Sequence, residues 1–226
     1  MKLNIRPVLG ADVGLSLMLM QLAAHHEPTP ELFLCDLAVS HSIYGRDRLQ
    51  DQINNNDEPI VTSKNVNFWN ASTTLANLLA FFFLVQFHHV EGIPILSFLS
   101  NAYSKSKTKI GAVKPLFIGA LWAYAIVFLP PDSVPNDLFF VYSSLYSSVS
   151  NIADIKDIEE DKLNNIQTIP VLLGEKKTYA LSSVLASISM ATHHTNMLTG
   201  TWTVGDTFIE VVSALVFAYA SYKSLE

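Results

Sequence analysis

Five aspartates in two short segments carry the clearest chemical signal in this sequence. Asp154, Asp157 and Asp161 stand at positions i, i+3 and i+7 of the run DIKDIEED, a spacing that places three side chains on one face of a helix. Carboxylates that face one way repel each other unless a cation lies between them, and Mg²⁺ prefers oxygen ligands that it can share with a substrate's phosphates. The segment predicts a Mg²⁺ site. The alternative is a solvated acidic loop paired with Lys156 and Lys162.

A second acidic pair lies earlier in the chain, where IYGRDRLQD places Asp47 and Asp51 at i and i+4 after an apolar run. Counting back by about one turn each, Tyr44, Ser40 and Asp36 lie on the same side as this pair. A polar stripe would therefore lead from the acids into the apolar segment. A carboxylate inside a membrane is a functional candidate. The alternative for Asp36 is a buried residue bonded to a neighbouring helix.

The elements that would position these residues are apolar helices. Half of the 226 residues are hydrophobic and 15% are charged, against about a quarter charged in soluble domains. The apolar stretches are long enough to be membrane helices, so the sequence predicts an all-α, polytopic transmembrane bundle of about eight helices in a single domain, 1–226. They cover about 8–26, 31–45, 66–87, 89–104, 114–129, 138–153, 178–196 and 206–222.

The distribution of positive charge supports this layout. With the amino terminus inside, all 14 Lys and Arg residues fall in segments on one side of the membrane, as the positive-inside rule requires. Both termini and both acidic segments are then expected on the cytoplasmic, stromal or matrix side. The net charge of −6 and the lack of a basic stripe exclude nucleic acid as a partner. Three His pairs lie in the opposite loops, where we expect structural or interfacial roles, because no carboxylate spacing completes a metal site. They are His25 and His26, His88 and His89, and His193 and His194.

Both acidic segments resemble the aspartate-rich motifs of the UbiA prenyltransferase superfamily, which follow the second and sixth membrane helices as NDxxDxxxD and DxxDxxxD. The run DIKDIEEDKLNNIQTIPVLLG resembles the second motif and its continuation through Thr168, Pro170 and Gly174. The stretch NAYSKSKTKIGAVKPLFIGALWA resembles the family's fourth connection. Two features depart from the family pattern. Ile43 and Tyr44 stand where the first motif usually has Asn-Asp, and the family usually has nine helices, so the last helix is expected to be missing.

The resemblance implies Mg²⁺-dependent transfer of a prenyl group from an isoprenoid diphosphate to an aromatic or other lipophilic acceptor within the membrane. It implies that the catalytic and metal-binding residues are Asp47, Asp51, Asp154, Asp157 and Asp161. The residues expected to bind the diphosphate are Arg48, Lys109, Lys114, Arg6 and Tyr103. The partners are then the two substrates and membrane lipid, whereas the acceptor's identity, the prenyl chain length and the oligomeric state are left open.

Three other interpretations stay open at this point. A soluble isoprenoid synthase also uses aspartate pairs with Mg²⁺, but its helices would not confine every cation to alternate loops. A small transporter could use Asp12 and Asp36 as relay groups, although the acidic segments lie at loop ends and no broken-helix repeat is evident. A non-catalytic relative would keep the fold and act as a membrane partner.

Overall fold

A computed structural model describes residues 11–24, 26–27, 29–55, 61–87, 92–98, 109–130, 137–197 and 204–226, with the backbone alone at 11–13, 51–55, 96, 195–197 and 204. All regular structure in these ranges is helical, which confirms the all-α class. The α-helices are α1 (Ala11–Ala23), α2 (Pro30–Asn55), α3 (Val66–Gln86), α4 (Gly92–Phe98), α5 (Lys114–Val127), α6 (Asp137–Asp154), α7 (Ile158–Leu163), α8 (Ile169–Leu173), α9 (Glu175–Met197) and α10 (Val204–Leu225). Two 3₁₀ turns cover Gly111–Val113 and Ile155–Asp157.

A helix lies at each of the eight predicted apolar stretches, and the short helices α7 and α8 lie in the second acidic connection. The main difference is in α2, which continues beyond the predicted end near residue 45 as far as Asn55. The added residues RDRLQDQINN are polar, so hydropathy does not detect them. Arg, Leu and Gln are nevertheless good helix formers, and the extension places Asp47 and Asp51 on the same continuous helix as Asp36.

The chain folds as two compact units. The first contains α1 as far as Met20, together with α2, α3 and α4; the second contains Gln21–His26 and α5 to α10. In the first unit α2 packs on α3. A Cβ atom added to Gly45 would lie 2.4 Å from Cγ2 of Thr73, so the two helices approach too closely there for a larger residue. The prediction of one domain over residues 1–226 stays a prediction.

In the second unit α6 packs against both α5 and α9, and α9 packs against α10. Helix α6 buries Leu138, Val141, Tyr142 and Leu145. A Cβ on Gly119 of α5 would lie 2.1 Å from the Ser147 hydroxyl and 2.4 Å from the Ser143 carbonyl oxygen of α6. Small residues at helix contacts of this kind are typical of membrane bundles.

Helices α3 and α10 are long and apolar enough to cross a membrane, over Val66–Gln86 and Gly205–Leu225. The apolar residues of these helices mostly face outward, because only 28% and 17% of the two windows are buried. A helix in the core of a soluble protein would instead bury its apolar face. Such extensive exposed apolar surface is expected where helices contact lipid. The apolar segments Gly14–Ala23 and Gly111–Val127 are shorter.

Candidate active site

The second acidic segment lies where the chain passes from α6 to α7. Asp154 is the last residue of α6, Asp157 is the last residue of the intervening 3₁₀ turn, and Asp161 lies in α7. A 3₁₀ helix has about 3.0 residues per turn, so Asp154 and Asp157 are one full turn apart. The four residues from Asp157 to Asp161 add just over one turn of α-helix. The break in the helix therefore preserves the common face that the spacing predicts.

Asp154 makes the best-defined polar contact of the segment. Its Oδ1 accepts a hydrogen bond from Lys114 Nζ at 2.7 Å, which joins the end of α6 to the start of α5. The other oxygen, Oδ2, is buried and has no hydrogen-bond partner among the residues that the structure describes. Burial raises the pKa of Asp154 above its ordinary value, Lys114 opposes that rise, and the nearby Asp161 and Asp157 add to it. One lysine therefore only partly compensates for burying this charge, and a further cation would stabilise the carboxylate.

Asp161 is held by the turn that follows it. Thr168, which is buried, donates a hydrogen bond from Oγ1 to Asp161 Oδ2 at 2.9 Å. The backbone N–H of Ile166 also donates to the Asp161 carbonyl oxygen at 2.8 Å, and Asn165 has a left-handed φ of 56° that lets the chain fold back. No hydrogen bond or ion pair to another described residue holds the Asp157 carboxylate. The segment thus contains two restrained carboxylates and, between them, one without such a restraint.

The basic segment before α5 packs against the same turn. Gly111 has a φ of +48°, and a Cβ atom at this position would lie 2.9 Å from the carbonyl oxygen of Gln167. Only glycine satisfies both the left-handed φ and the close approach. Gly111 therefore lies beside Gln167, the residue before Thr168. The exposed Lys109 lies two residues before Gly111 in the same stretch. The second unit therefore brings Lys114 together with the acidic segment, with Lys109 in the stretch just before it.

The first acidic segment belongs to the other unit. Asp47 is half-buried and Arg48 is exposed near the end of α2, while for Asp51 the structure describes the backbone alone. Arg46 Nη1 donates to Asn70 Oδ1 of α3 at 2.7 Å, which fixes this end of α2. Two residues predicted to bind the diphosphate, Arg6 and Tyr103, lie outside the described residues.

The predicted stripe on α2 is polar and largely buried. Asp36 and Ser40 are buried, and Tyr44 is exposed, so the stripe runs from the interior of the first unit to its surface. His41 on the same helix contacts Ser72 Oγ at 3.1 Å through Nε2. That contact also joins α2 to α3.

The oxygen donors of the second acidic segment suit a hard cation that is shared with a substrate. Among the described residues, no three His, Cys, Asp or Glu side chains converge as a complete metal site. Mg²⁺ usually takes one or two carboxylates together with waters and substrate phosphates rather than a cage made of protein alone. Asp157 and the unpaired Oδ2 of Asp154 fit that type of site.

Sequence reasoning missed a buried polar contact at the other end of the second unit. His193 Nε2 lies 3.2 Å from Asp206 Oδ1, and His194 Nδ1 lies 3.4 Å from Glu210 Oε1. The carboxylates come from the next helix, α10, which local spacing around the His pair does not reveal. The spacing of Asp206 and Glu210 at i and i+4 directly after a short connection was the available signal. These contacts join α9 to α10, in keeping with the structural role that we expected for this His pair.

Comparisons with known proteins agree with this architecture. The VviA prenyltransferase family matches residues 135–224, which include the second acidic segment. No curated protein matches the sequence. The fold is similar to the apo structure of a UbiA homologue from Aeropyrum pernix K1, with a TM-score of 0.77 at 16% identity over 97% of this chain and 92% of that chain.

Two further solved structures share the fold. A UbiA homologue from Archaeoglobus fulgidus bound to Cd²⁺ has a TM-score of 0.62 at 16% identity, covering 96% of this chain and 85% of that chain. A digeranylgeranylglyceryl phosphate synthase has a TM-score of 0.61 at 16% identity, covering 96% of this chain and 87% of that chain. The structural likeness supports the fold, and the family match covers the sequence of the second acidic segment. Together they confirm the resemblance to the UbiA prenyltransferase superfamily.

Proposed function

We propose that this protein transfers a prenyl group from an isoprenoid diphosphate to a lipophilic acceptor in a membrane, and that the reaction depends on Mg²⁺. The observation that carries the proposal is the Asp154 carboxylate, which is buried, paired on one oxygen with Lys114 and unpaired on the other. A structural ion pair would satisfy both oxygens. An oxygen left free beside two more aspartates is what a site for a metal and a phosphate needs.

In the proposed reaction the allylic carbon–oxygen bond breaks and the diphosphate leaves with additional negative charge, while the acceptor forms the new bond to the allylic carbon and releases a proton. Mg²⁺, when bound, would neutralise that charge as a Lewis acid. The residues proposed to hold it are Asp47, Asp51, Asp154, Asp157 and Asp161.

The protein's own cations have two proposed tasks. Lys114 holds Asp154 at the end of α6 and supplies positive charge for phosphate oxygens, to which an ammonium group is a strong donor. Lys109 would add to this charge from just before the 3₁₀ turn Gly111–Val113. The remaining residues proposed to bind the diphosphate are Arg48, Arg6 and Tyr103.

Thr168 is proposed to act on the metal site through Asp161. Its hydrogen bond to Oδ2 fixes the carboxylate orientation and leaves the second oxygen for a ligand. Residues of this kind, one step removed from the metal, often determine how well the ligands are arranged.

Membrane insertion follows from the outward-facing apolar side chains of α3 and α10 and suits substrates that carry a prenyl chain. We propose further that both acidic segments and both termini face the cytoplasmic, stromal or matrix side, on the distribution of Lys and Arg. Lipid and the two substrates would then be the protein's partners.

The proposal is tested with membranes that contain the full chain, a labelled prenyl diphosphate, Mg²⁺ and a panel of aromatic acceptors. We expect a prenylated product that is lost with EDTA and lost in Asp47→Ala and Asp157→Ala. Glu159→Ala is the matched control, since Glu159 is an exposed carboxylate in the same segment that pairs with Lys162, and it should retain activity. Absence of both product and diphosphate release in the wild type would instead support the non-catalytic interpretation.

A further inference from the structure

Helix α8 begins in the interior of the second unit and ends at its surface. Thr168, which precedes the helix, and Pro170 in its first turn are buried. The last two residues, Leu172 and Leu173, are 54% and 42% exposed. A Cβ atom added to the next residue, Gly174, would meet nothing within 4 Å, so the turn into α9 faces open space. Leu172, Leu173 and Gly174 thus form an apolar projection, which we call the α8 tip.

Two lysines directly follow the α8 tip. Lys176 and Lys177 lie in the first turn of α9, and both are exposed. Neither lysine forms an ion pair with a residue that the structure describes. Exposed apolar side chains beside cations are typical of segments that lie at a membrane surface, where the apolar groups enter the acyl-chain boundary and the cations attract anionic lipids.

The end of α10 indicates where the membrane surface lies. This helix is long and apolar enough to cross a membrane over Gly205–Leu225. Tyr219 and Tyr222, near the end of that range, are both exposed. Tyrosines of membrane proteins are enriched at the boundary between lipid and water. The boundary is therefore expected near these two tyrosines.

A contact between α9 and α10 brings the lysines to the same level. The ring of Tyr179 in α9 meets that of Tyr219 edge to face, with the centroids 5.9 Å apart. Lys176 precedes Tyr179 by three residues, which is about one helical turn. The pKa of Glu226, directly after α10, is lowered by its hydrogen bond with Lys223, and the charge of Lys176 adds to this shift. The start of α9 therefore lies beside the end of α10.

We propose that the α8 tip and the two lysines form a lipid-docking surface that is selective for anionic lipids. Leu172 and Leu173 enter the acyl-chain boundary, and Lys176 and Lys177 bind lipid phosphates. The occupant is lipid because the surface lies where α10 meets the boundary. A lysine at an anionic surface strengthens the attraction by about fivefold. The inference rests on membrane insertion and not on prenyl transfer.

The first test measures whether the tip contacts lipid. The full chain carries a nitrobenzoxadiazole label at Leu172→Cys, in bilayers of phosphatidylcholine and phosphatidylglycerol whose acyl chains carry a nitroxide quencher. Leu215→Cys is the reference in lipid, since Leu215 is exposed within the membrane-crossing range of α10. Glu159→Cys, in the exposed part of the acidic segment, is the reference in water. The unsubstituted chain gives the background, because its lone Cys35 is buried.

We expect the quencher to remove most of the fluorescence of the Leu172→Cys and Leu215→Cys labels and little of the fluorescence of the Glu159→Cys label. Quenching at Leu172→Cys that is no stronger than at Glu159→Cys, with Leu215→Cys quenched, would overturn the inference and leave membrane insertion intact. If the label at Leu215→Cys also escapes quenching, α10 does not contact lipid and the inference fails with membrane insertion.

The second test identifies the headgroup. The nitroxide is carried either by phosphatidylglycerol or by phosphatidylcholine, in equal amounts of the two lipids. We expect phosphatidylglycerol to quench the Leu172→Cys label about fivefold more strongly, and Lys176→Gln combined with Lys177→Gln to remove this preference. Lys162→Gln is the matched control, because Lys162 is an exposed lysine that pairs with Glu159, and it should keep the preference.

Two outcomes would overturn the assignment to anionic lipid even if the tip contacts the bilayer. The first is equal quenching by the two lipids when both lysines are present. The second is a preference that the double substitution leaves unchanged, or that Lys162→Gln reduces just as strongly, since the net charge of the protein would then explain it.

Discussion

The two acidic segments differ in how the protein supports them. Asp47 and Asp51 lie four residues apart on the unbroken helix α2, a spacing that places both on one face. The second segment passes through a 3₁₀ turn, and residues from outside the segment hold its first and last aspartates, Lys114 at Asp154 and Thr168 at Asp161. A similar acidic spacing can therefore be built on one continuous helix or across a break between two helices.

The sequences of the two segments differ in the same sense. The first has Tyr44 where the family pattern has an acid, whereas the second keeps all three aspartates and lies within the matched family range. Fewer carboxylates mean less negative charge for a cation. We therefore expect the second segment to carry the larger share of metal binding.

The largest predicted effect comes from removing one carboxylate of each segment. Asp157→Asn should lower kcat by about a hundredfold or more, the usual cost of losing one electrostatic contact to a transition state. Asp47→Asn should lower it by a smaller factor, because the first segment already lacks an acid. Initial rates at saturating Mg²⁺ measure both. A larger loss in Asp47→Asn would reverse the proposed ranking of the two segments.

The next largest effect is expected from breaking the ion pair between Lys114 and Asp154 in the second segment. Lys114→Met should lower the free energy of unfolding by about 2 kcal/mol, because it leaves the mostly buried Asp154 carboxylate without a counter-charge. Adding Asp154→Asn should recover most of that loss. Thermal or denaturant melts of the two single variants and the double variant form the required cycle. Strictly additive effects would show that the pair is not coupled.

The sequence alone predicted the places of the helices better than these contacts. Hydropathy located the eight apolar helices, and spacing alone placed Asp157 one turn from both Asp154 and Asp161. The Lys114–Asp154 bond joins residues 40 positions apart and depends on how α5 packs on α6, which no local pattern encodes. The pairing of His193 with Asp206 was missed for the same reason. The catalytic and binding roles of the site residues remain predictions.

A moderate effect is expected from the threonine that orients Asp161. Thr168→Val keeps the shape of the side chain but removes the hydrogen bond to Asp161 Oδ2. It should raise the Mg²⁺ concentration for half-maximal activity by about tenfold, in the range for residues that support a metal ligand. Thr168→Ser restores the hydroxyl and should restore the Mg²⁺ requirement, which a defect in packing alone would not do. If serine fails to rescue, Asp161 does not depend on this bond.

The smallest expected effect is the change in stability caused by Asp154→Asn. This substitution should stabilise the protein although it lowers activity. The pKa of Asp154 is raised in the folded protein because burial outweighs the pairing with Lys114. The folded state then holds this proton more strongly than the unfolded state does, so without metal the ionised group costs stability as pH rises above its ordinary pKa of 3.8. Asp154→Asn should therefore raise the free energy of unfolding at neutral pH by an amount on the order of 1 kcal/mol or less, and with it the melting temperature. The same substitution should lower prenyl transfer.

That gain in stability should shrink as pH falls toward 3.8, where the wild-type carboxyl is protonated in both states. Adding Mg²⁺ at neutral pH should also narrow the gap, because the cation stabilises the wild-type carboxylate and has less to bind in the variant. Melting curves across pH, with and without Mg²⁺, provide the measurement. If Asp154→Asn were destabilising at neutral pH without metal, the Lys114 pair would outweigh burial. Asp154 would then be a structural residue in the second segment, as its partner Lys114 would be.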